Sequence, residues 1–280
     1  MSSKALKILA LAYGQYFNIL VIFSKRKAAK QAFVLFSTPR KGRLLPHQSD
    51  YLNKFEKKIA LVANHSLQTY HWKGVKPTVL LCHGWESNAF RWRNLIQKLQ
   101  EKGFTVISFD APAHGASSGE HLHVPIYEAC TTALIKKYKP EYVIGHSIGG
   151  LALLYSQYKD PQPFVKKVVS LGSPSELTEI MANYQEIVGF NNKVLKALDG
   201  YFKERFSFGI DDFSMSELAK NIDKEGLLIH DREDPIAPYS AAVSIQKNWK
   251  NAKLITTEGL GHSLHQDHVN DQIISFLEAS

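Results

Sequence analysis

Gly145-His146-Ser147-Ile148-Gly149-Gly150 follows the apolar run Tyr142-Val143-Ile144 and leads straight into Leu151-Ala152-Leu153-Leu154. The pattern is G-x-S-x-G between a strand and a helix, the setting in which a serine is lifted off a sheet on a sharp turn. Such a turn has room only for hydrogen two positions either side of the serine, hence Gly145 and Gly149. The helix that follows aims its first amides at any negative charge developing beside Ser147 Oγ. A passive serine on a Gly-rich turn is the plainer reading, and the flanking strand and helix speak against it.

Alone, a serine hydroxyl is a poor nucleophile; it needs a base held in place by an acid. Leu227-Leu228-Ile229-His230 reads as a strand, and beyond it lies Asp231-Arg232-Glu233-Asp234-Pro235-Ile236-Ala237-Pro238. Asp234 is the chosen acid, because the two prolines stiffen the loop that would carry its carboxylate. Asp231 reads as a turn residue and Glu233 as solvated. A further strand, Lys253–Thr257, runs into Glu258-Gly259-Leu260-Gly261-His262-Ser263, which places His262 28 residues after Asp234. Position and loop type select His262 from twelve histidines. His262, His265, Asp267 and His268 could also be read as metal ligands, but a histidine serving as base is not available to a metal; the expectation is no metal and no cofactor. Two backbone donors are needed for an oxyanion. Ile148, next to the serine, supplies one amide, and Trp85, in the loop His83-Gly84-Trp85-Glu86-Ser87 after the strand Thr78–Cys82, supplies the other.

Short apolar strands alternate with amphipathic helices from residue 50 onward, which predicts parallel βαβ units and an α/β fold. Strands are expected near 59–63, 67–72, 78–82, 105–109, 142–144, 167–171, 227–230 and 254–257. Helices are expected near 91–101, 125–137, 149–158, 241–249 and 269–277. Between Gly172 and Asn221 no strand is visible, and fifty residues are too many for a bare loop. A helical lid insertion over 173–221 is expected, with the core formed by 50–172 and 222–280. Tyr184, Phe190, Tyr201, Phe202, Phe206 and Phe208 in that insertion suit either an apolar substrate group or internal packing.

Charge is unevenly spread. Of 34 Lys+Arg, nine lie in residues 1–49, which contain no acid; the remainder balances 25 bases against 26 acids. The basic pI is therefore a property of the extension, and nothing on the main body favours nucleic acid. Residues 5–23 are apolar over about the length of a membrane span. A cleavable signal is disfavoured by Ser24-Lys25-Arg26-Lys27 immediately after it, and a span would have to carry Lys7, Gln15 and Asn18. Lys4, Lys7, Gly14, Asn18 and Lys25 instead form one narrow polar stripe on a helix that continues toward Pro39. The expectation for 1–49 is a basic amphipathic helical extension, with residues 1–38 packed on the body, on a second copy, or against a membrane. Two cysteines, Cys82 and Cys130, are too few to staple a chain of 280 residues, so both are expected reduced and buried. A cytoplasmic setting follows, with peripheral contact at the inner membrane face as the variant.

Taken together, His83-Gly84-Trp85, Asp110–Ser117, Gly145–Gly150, His230 with Asp234-Pro235, and Gly261-His262 resemble the α/β-hydrolase superfamily, in its bacterial esterase-like and lipase-like branch. The resemblance covers about residues 66–280. It implies a mostly parallel eight-stranded sheet with helices on both faces, a lid after strand six, and Ser–His–Asp acyl transfer. By position it implies Ser147 as nucleophile, His262 as base, Asp234 as acid, Trp85 and Ile148 as oxyanion donors, and a structural role for the loop of Asp110 and His114. A serine at the elbow argues against the dehalogenase and epoxide-hydrolase branches, which use aspartate there. The expected function is a serine carboxylic-ester hydrolase acting on a small-molecule ester. A thioesterase or acyltransferase using the same residues is the nearest alternative, and a non-catalytic binding module on the same fold is the alternative of a different class. The resemblance says nothing about the first 45 to 50 residues.

Overall fold

Eight strands form one sheet in the order β1-β2-β4-β3-β5-β6-β7-β8. They are β1 (Glu56–Val62), β2 (His65–Trp72), β3 (Lys76–Cys82), β4 (Phe104–Phe109), β5 (Tyr142–His146), β6 (Lys167–Leu171), β7 (Glu225–Asp231) and β8 (Ala252–Thr257). β2 pairs antiparallel with both β1 and β4, and from β4 through β3, β5, β6, β7 and β8 the pairing is parallel. The coordinates are a computed structural model that describes residues 3–279. Lys4, one of the bases read in the extension, has its side chain outside the described residues.

Each predicted strand is present, with ends differing by a few residues at most. The largest difference is β1, whose first three residues Glu56, Lys57 and Lys58 are exposed. It is an edge strand, so one side needs no apolar alternation, and its start leaves little trace in hydropathy. Central strands are the opposite case: all five residues of β6 are buried, as a parallel strand covered on both faces requires.

The helices, in chain order, are α1 (Ser3–Phe23), α2 (Lys25–Ser37), α3 (Pro46–Leu52), α4 (Arg93–Glu101), α5 (Val124–Tyr138), α6 (Ile148–Lys159), α7 (Leu177–Val188), α8 (Asn192–Phe206), α9 (Met215–Leu218), α10 (Tyr239–Asn248) and α11 (Asp267–Glu278). The chain divides into two units, one of residues up to Thr38 with Glu176–Ser214, the other of Pro39–Ser175 with Met215–Ser280.

The larger unit holds the sheet. Val79, Leu81, Trp72, Trp92, Leu95, Leu99, Val106, Ile144, Val169, Ile229 and Ile273 belong to one core cluster. Each such aliphatic side chain contributes about 1.5–3 kcal/mol by leaving water. Pro39 to Ser49, read from sequence as part of the extension, belong to this unit. There Arg43 donates to the Ser117 carbonyl at 2.5 Å and the Gly119 carbonyl at 3.1 Å, so one of the basic residues serves the loop after β4.

The smaller unit joins α1 and α2 to α7 and α8. The predicted continuous helix breaks at Ser24, whose extended backbone and side chain cap the start of α2 by accepting from the Lys27 amide. Around α2 the aromatic residues of the insertion pack. The Phe33 ring centre lies 5.3 Å from Tyr201, 5.7 Å from Phe202 and 5.7 Å from Phe206. Tyr184 donates to the Ala32 carbonyl at 2.8 Å and stacks obliquely on Phe36. Internal packing, one of the two readings of these aromatics, therefore occupies much of their surface; Tyr184, Tyr201, Phe206 and Phe208 remain only half-buried.

Candidate active site

The carboxyl ends of β3, β5, β7 and β8 lie on one edge of the sheet, where loops of an α/β fold collect functional groups. Ser147 sits between β5 and α6 with φ 56° and ψ −129°. For a residue with a Cβ this backbone is strained, at a cost of order 1–3 kcal/mol. Its neighbours hold it there: the Ser147 amide donates to the Leu171 carbonyl at 2.8 Å, and the Ser147 carbonyl accepts from Leu151 at 3.0 Å. A Cβ on Gly145 would lie 2.5 Å from Gly150 Cα, and one on Gly149 2.3 Å from the His83 carbonyl oxygen. The two glycines of the motif are thus demanded by close approach of backbone to backbone, as the spacing predicts.

The structure brings the three residues chosen from sequence into a chain of hydrogen bonds. His262 Nε2 lies 3.0 Å from Ser147 Oγ, and His262 Nδ1 lies 2.7 Å from Asp234 Oδ2. An ionised carboxylate can only accept, so Nδ1 carries the proton and Nε2 offers its lone pair to the serine. Asp234 Oδ1 accepts from the amides of Ile236 at 2.8 Å and Ala237 at 3.0 Å. Burial works to raise the Asp234 pKa. The hydrogen bonds from His230, His262 and the two amides outweigh it and hold the carboxyl well below its usual range.

Asp231 does more than turn the chain. It ends β7 and is fully buried, and Oδ2 accepts from Thr257 Oγ1 at 2.7 Å and the Leu260 amide at 2.9 Å. It therefore shapes the loop that delivers His262, whereas Glu233 is exposed. His146 was read only as part of the motif. Its Nε2 lies 2.8 Å from the His262 carbonyl oxygen, which fixes that nitrogen as the donor and pins the backbone of the same loop.

On the other side of the serine, Gly84 approaches so closely that a Cβ there would meet His146 Nδ1 at 2.6 Å and Ser147 Cβ at 3.0 Å. This puts the loop carrying Trp85 against the elbow. Four hydrogen bonds make the loop rigid. Buried His83 pairs with the Gly84 carbonyl through Nδ1 at 2.7 Å and accepts from the Ala111 amide through Nε2 at 2.9 Å. Tyr127 donates to the His83 carbonyl at 2.7 Å. His114 Nε2 accepts from the Glu86 amide at 3.0 Å. Burial drives the pKa of His83 well down and that of His114 down, so each stays neutral and able to accept. Asp110, also buried, accepts from Tyr70, Ala89 and Ala116, each at 2.9 Å. Ile148 opens α6, so its amide has no partner within the helix.

His262, the one histidine shared by the competing metal reading, is committed to Ser147 and Asp234, and among the described residues no group of three or more His, Cys, Asp or Glu could hold a metal ion. Cys82 and Cys130 are unpaired and buried, and burial pushes both thiols up to about 12. Neither is a thiolate at neutral pH. A native protein treated with iodoacetamide at pH 8 is expected to gain no carbamidomethyl group by mass, and two after unfolding. Rapid modification of the native chain would contradict this burial.

A family model for the alpha/beta hydrolase fold matches residues 77–202, and one for TAP-like proteins matches residues 212–280. The pimeloyl-[acyl-carrier protein] methyl ester esterase of Vibrio parahaemolyticus is 31% identical over 150 residues, covering 51% of this chain and 54% of that protein. The chain thus spans about half the length of that curated relative. A non-heme haloperoxidase of Rhodococcus erythropolis is 24% identical over 74% of this chain and 94% of its own. Among solved structures, an esterase from Rhodococcus superposes with TM-score 0.61 at 15% identity, over 80% of this chain and 98% of that one. The chain belongs to the α/β-hydrolase superfamily.

Proposed function

We propose that the protein is a serine hydrolase of carboxylic esters that works through an acyl-enzyme. The observation that carries this is the unbroken Ser147–His262–Asp234 chain of hydrogen bonds at the carboxyl edge of the sheet. His262 Nε2 takes the Ser147 proton as Oγ attacks the ester carbonyl carbon. The oxyanion is held by the Ile148 and Trp85 amides. The imidazolium, stabilised by Asp234, returns its proton to the departing alcohol oxygen. Water, deprotonated by His262, then attacks the acyl-serine, and the acid leaves with Ser147 restored. The same residues would serve a thioester; the esterase relatives favour the oxygen ester. The insertion's role as a lid, and an apolar acyl or alcohol group on the substrate, belong to the same proposal.

Nitrophenyl esters of graded acyl length test this. Turnover is expected, with kcat/KM rising about fourfold per methylene from acetate to butyrate if each methylene is buried, at roughly 0.8 kcal/mol apiece. A flat series would overturn the apolar subsite while leaving the triad in place. No turnover of any ester would overturn the function.

A further inference from the structure

Helix α1 carries apolar side chains on its packed face and on its exposed face alike. Its buried line is Ala10, Gly14, Phe17 and Val21, spaced 4, 3 and 4 residues apart on one face. Small residues let the backbone come close there: a Cβ on Gly14 would lie 2.0 Å from the Val188 carbonyl oxygen. Asn18, from the polar stripe, faces the same way. Its Oδ1 accepts from the Asn191 amide at 2.7 Å, and its Nδ2 donates to the Gly189 carbonyl at 3.4 Å. The smaller unit has thus taken Gly14 and Asn18 of the polar stripe for packing, while Lys7 and Lys25 stay exposed. Left on the outside are Ile8 (61% exposed), Ile19 (59%), Ile22 (72%) and Phe23 (81%), with Leu9, Leu11 and Tyr16 beside them. Leaving that many apolar side chains in water, interrupted only by the exposed Gln15 among them, is unfavourable, and it marks an interaction face.

Charge identifies the occupant. Lys7 near one end of α1, and Lys25, Lys27 and Lys30 directly after the other, are exposed, while the exposed Arg26 pairs with Glu204 at 3.0 Å. No acid occurs in the first 49 residues. An apolar face bordered by cations at both ends is complementary to a bilayer interface bearing anionic headgroups, where acyl chains take the apolar side chains and phosphates take the lysines. We propose that α1 seats its outer face in the interface of an anionic membrane, lying in the plane of the bilayer while its Ala10–Val21 line stays packed on its own unit. This surface shares no residue with the triad.

Co-sedimentation of the full chain with phosphatidylcholine vesicles, with and without phosphatidylglycerol, tests the proposal. Binding is expected only with the anionic lipid, weakening as salt rises. Substituting Ile8→Ser, Ile19→Ser, Ile22→Ser and Phe23→Ser together should abolish it without lowering the melting temperature, because these side chains are exposed. Lys25→Gln with Lys27→Gln should weaken partitioning roughly 30-fold, at about fivefold per base. Three results would overturn the proposal. One is equal binding to both vesicle types, or none. Another is a dimer without lipid that the fourfold serine variant converts to monomer, which would make a second copy the occupant. The third is protein that stays in the vesicles through an alkaline wash, which would mean α1 crosses the bilayer.

Discussion

Ser147→Ala is expected to lower ester turnover by on the order of 10⁴–10⁶-fold while the protein melts as before. The size follows from the chemistry. Without Oγ there is no acyl-enzyme, and what remains is the smaller contribution of binding and the oxyanion donors to direct attack by water. The fold should tolerate the change because the turn is held by the Ser147 amide and carbonyl and by the glycines around it. The missing hydroxyl releases only its contact with His262. Activity within tenfold of the parent would remove Ser147 from the nucleophile's role.

The second large effect is expected at the acid. Asp234→Asn keeps the shape but offers an amide where His262 Nδ1–H needs a full acceptor. The imidazole can then settle with its proton on Nε2, facing the serine, and kcat should fall roughly 10²–10⁴-fold. Asp231→Asn should fall far less in kcat and show its cost in melting temperature, since Asp231 bonds Thr257 and Leu260 rather than the imidazole. Greater sensitivity at Asp231 than at Asp234 would reverse the assignment. Stability has a pH signature as well. The folded Asp234 pKa lies below the ordinary carboxylate value, so its stabilisation is present above the unfolded pKa and is lost as pH falls toward the folded one. The stability gap between parent and Asp234→Asn should be constant above about pH 5 and shrink below about pH 4, measured by calorimetry.

The elbow was legible from sequence because its requirements are local: a strand, a turn that excludes side chains at Gly145 and Gly149, and a helix. Asp234 and His262 were legible because each follows a readable strand, and strand ends on one edge of a parallel sheet must converge. What the sequence hid depends on partners far along the chain. Periodicity showed that α1 has a polar stripe, but a helix pattern does not say which face meets protein, and here Gly14 and Asn18 point inward. The break at Ser24 was masked by helix-forming residues on both sides of a single capping serine. The short α3 carries one buried residue, Leu52, too little for a period to register. Asp231 looked like a turn residue because its partners, Thr257 and Leu260, lie 26 and 29 residues away. The aromatics of the insertion could not be divided between substrate and packing until Phe33 was seen among them.

The central claim is that Ser147 is an activated nucleophile, and covalent capture by a fluorophosphonate reads this without knowledge of the natural ester. One adduct per chain is expected, mapped by peptide mass to Ser147, absent in Ser147→Ala and formed far more slowly in His262→Ala. An unlabelled parent protein, or an adduct on any other residue, would contradict the account.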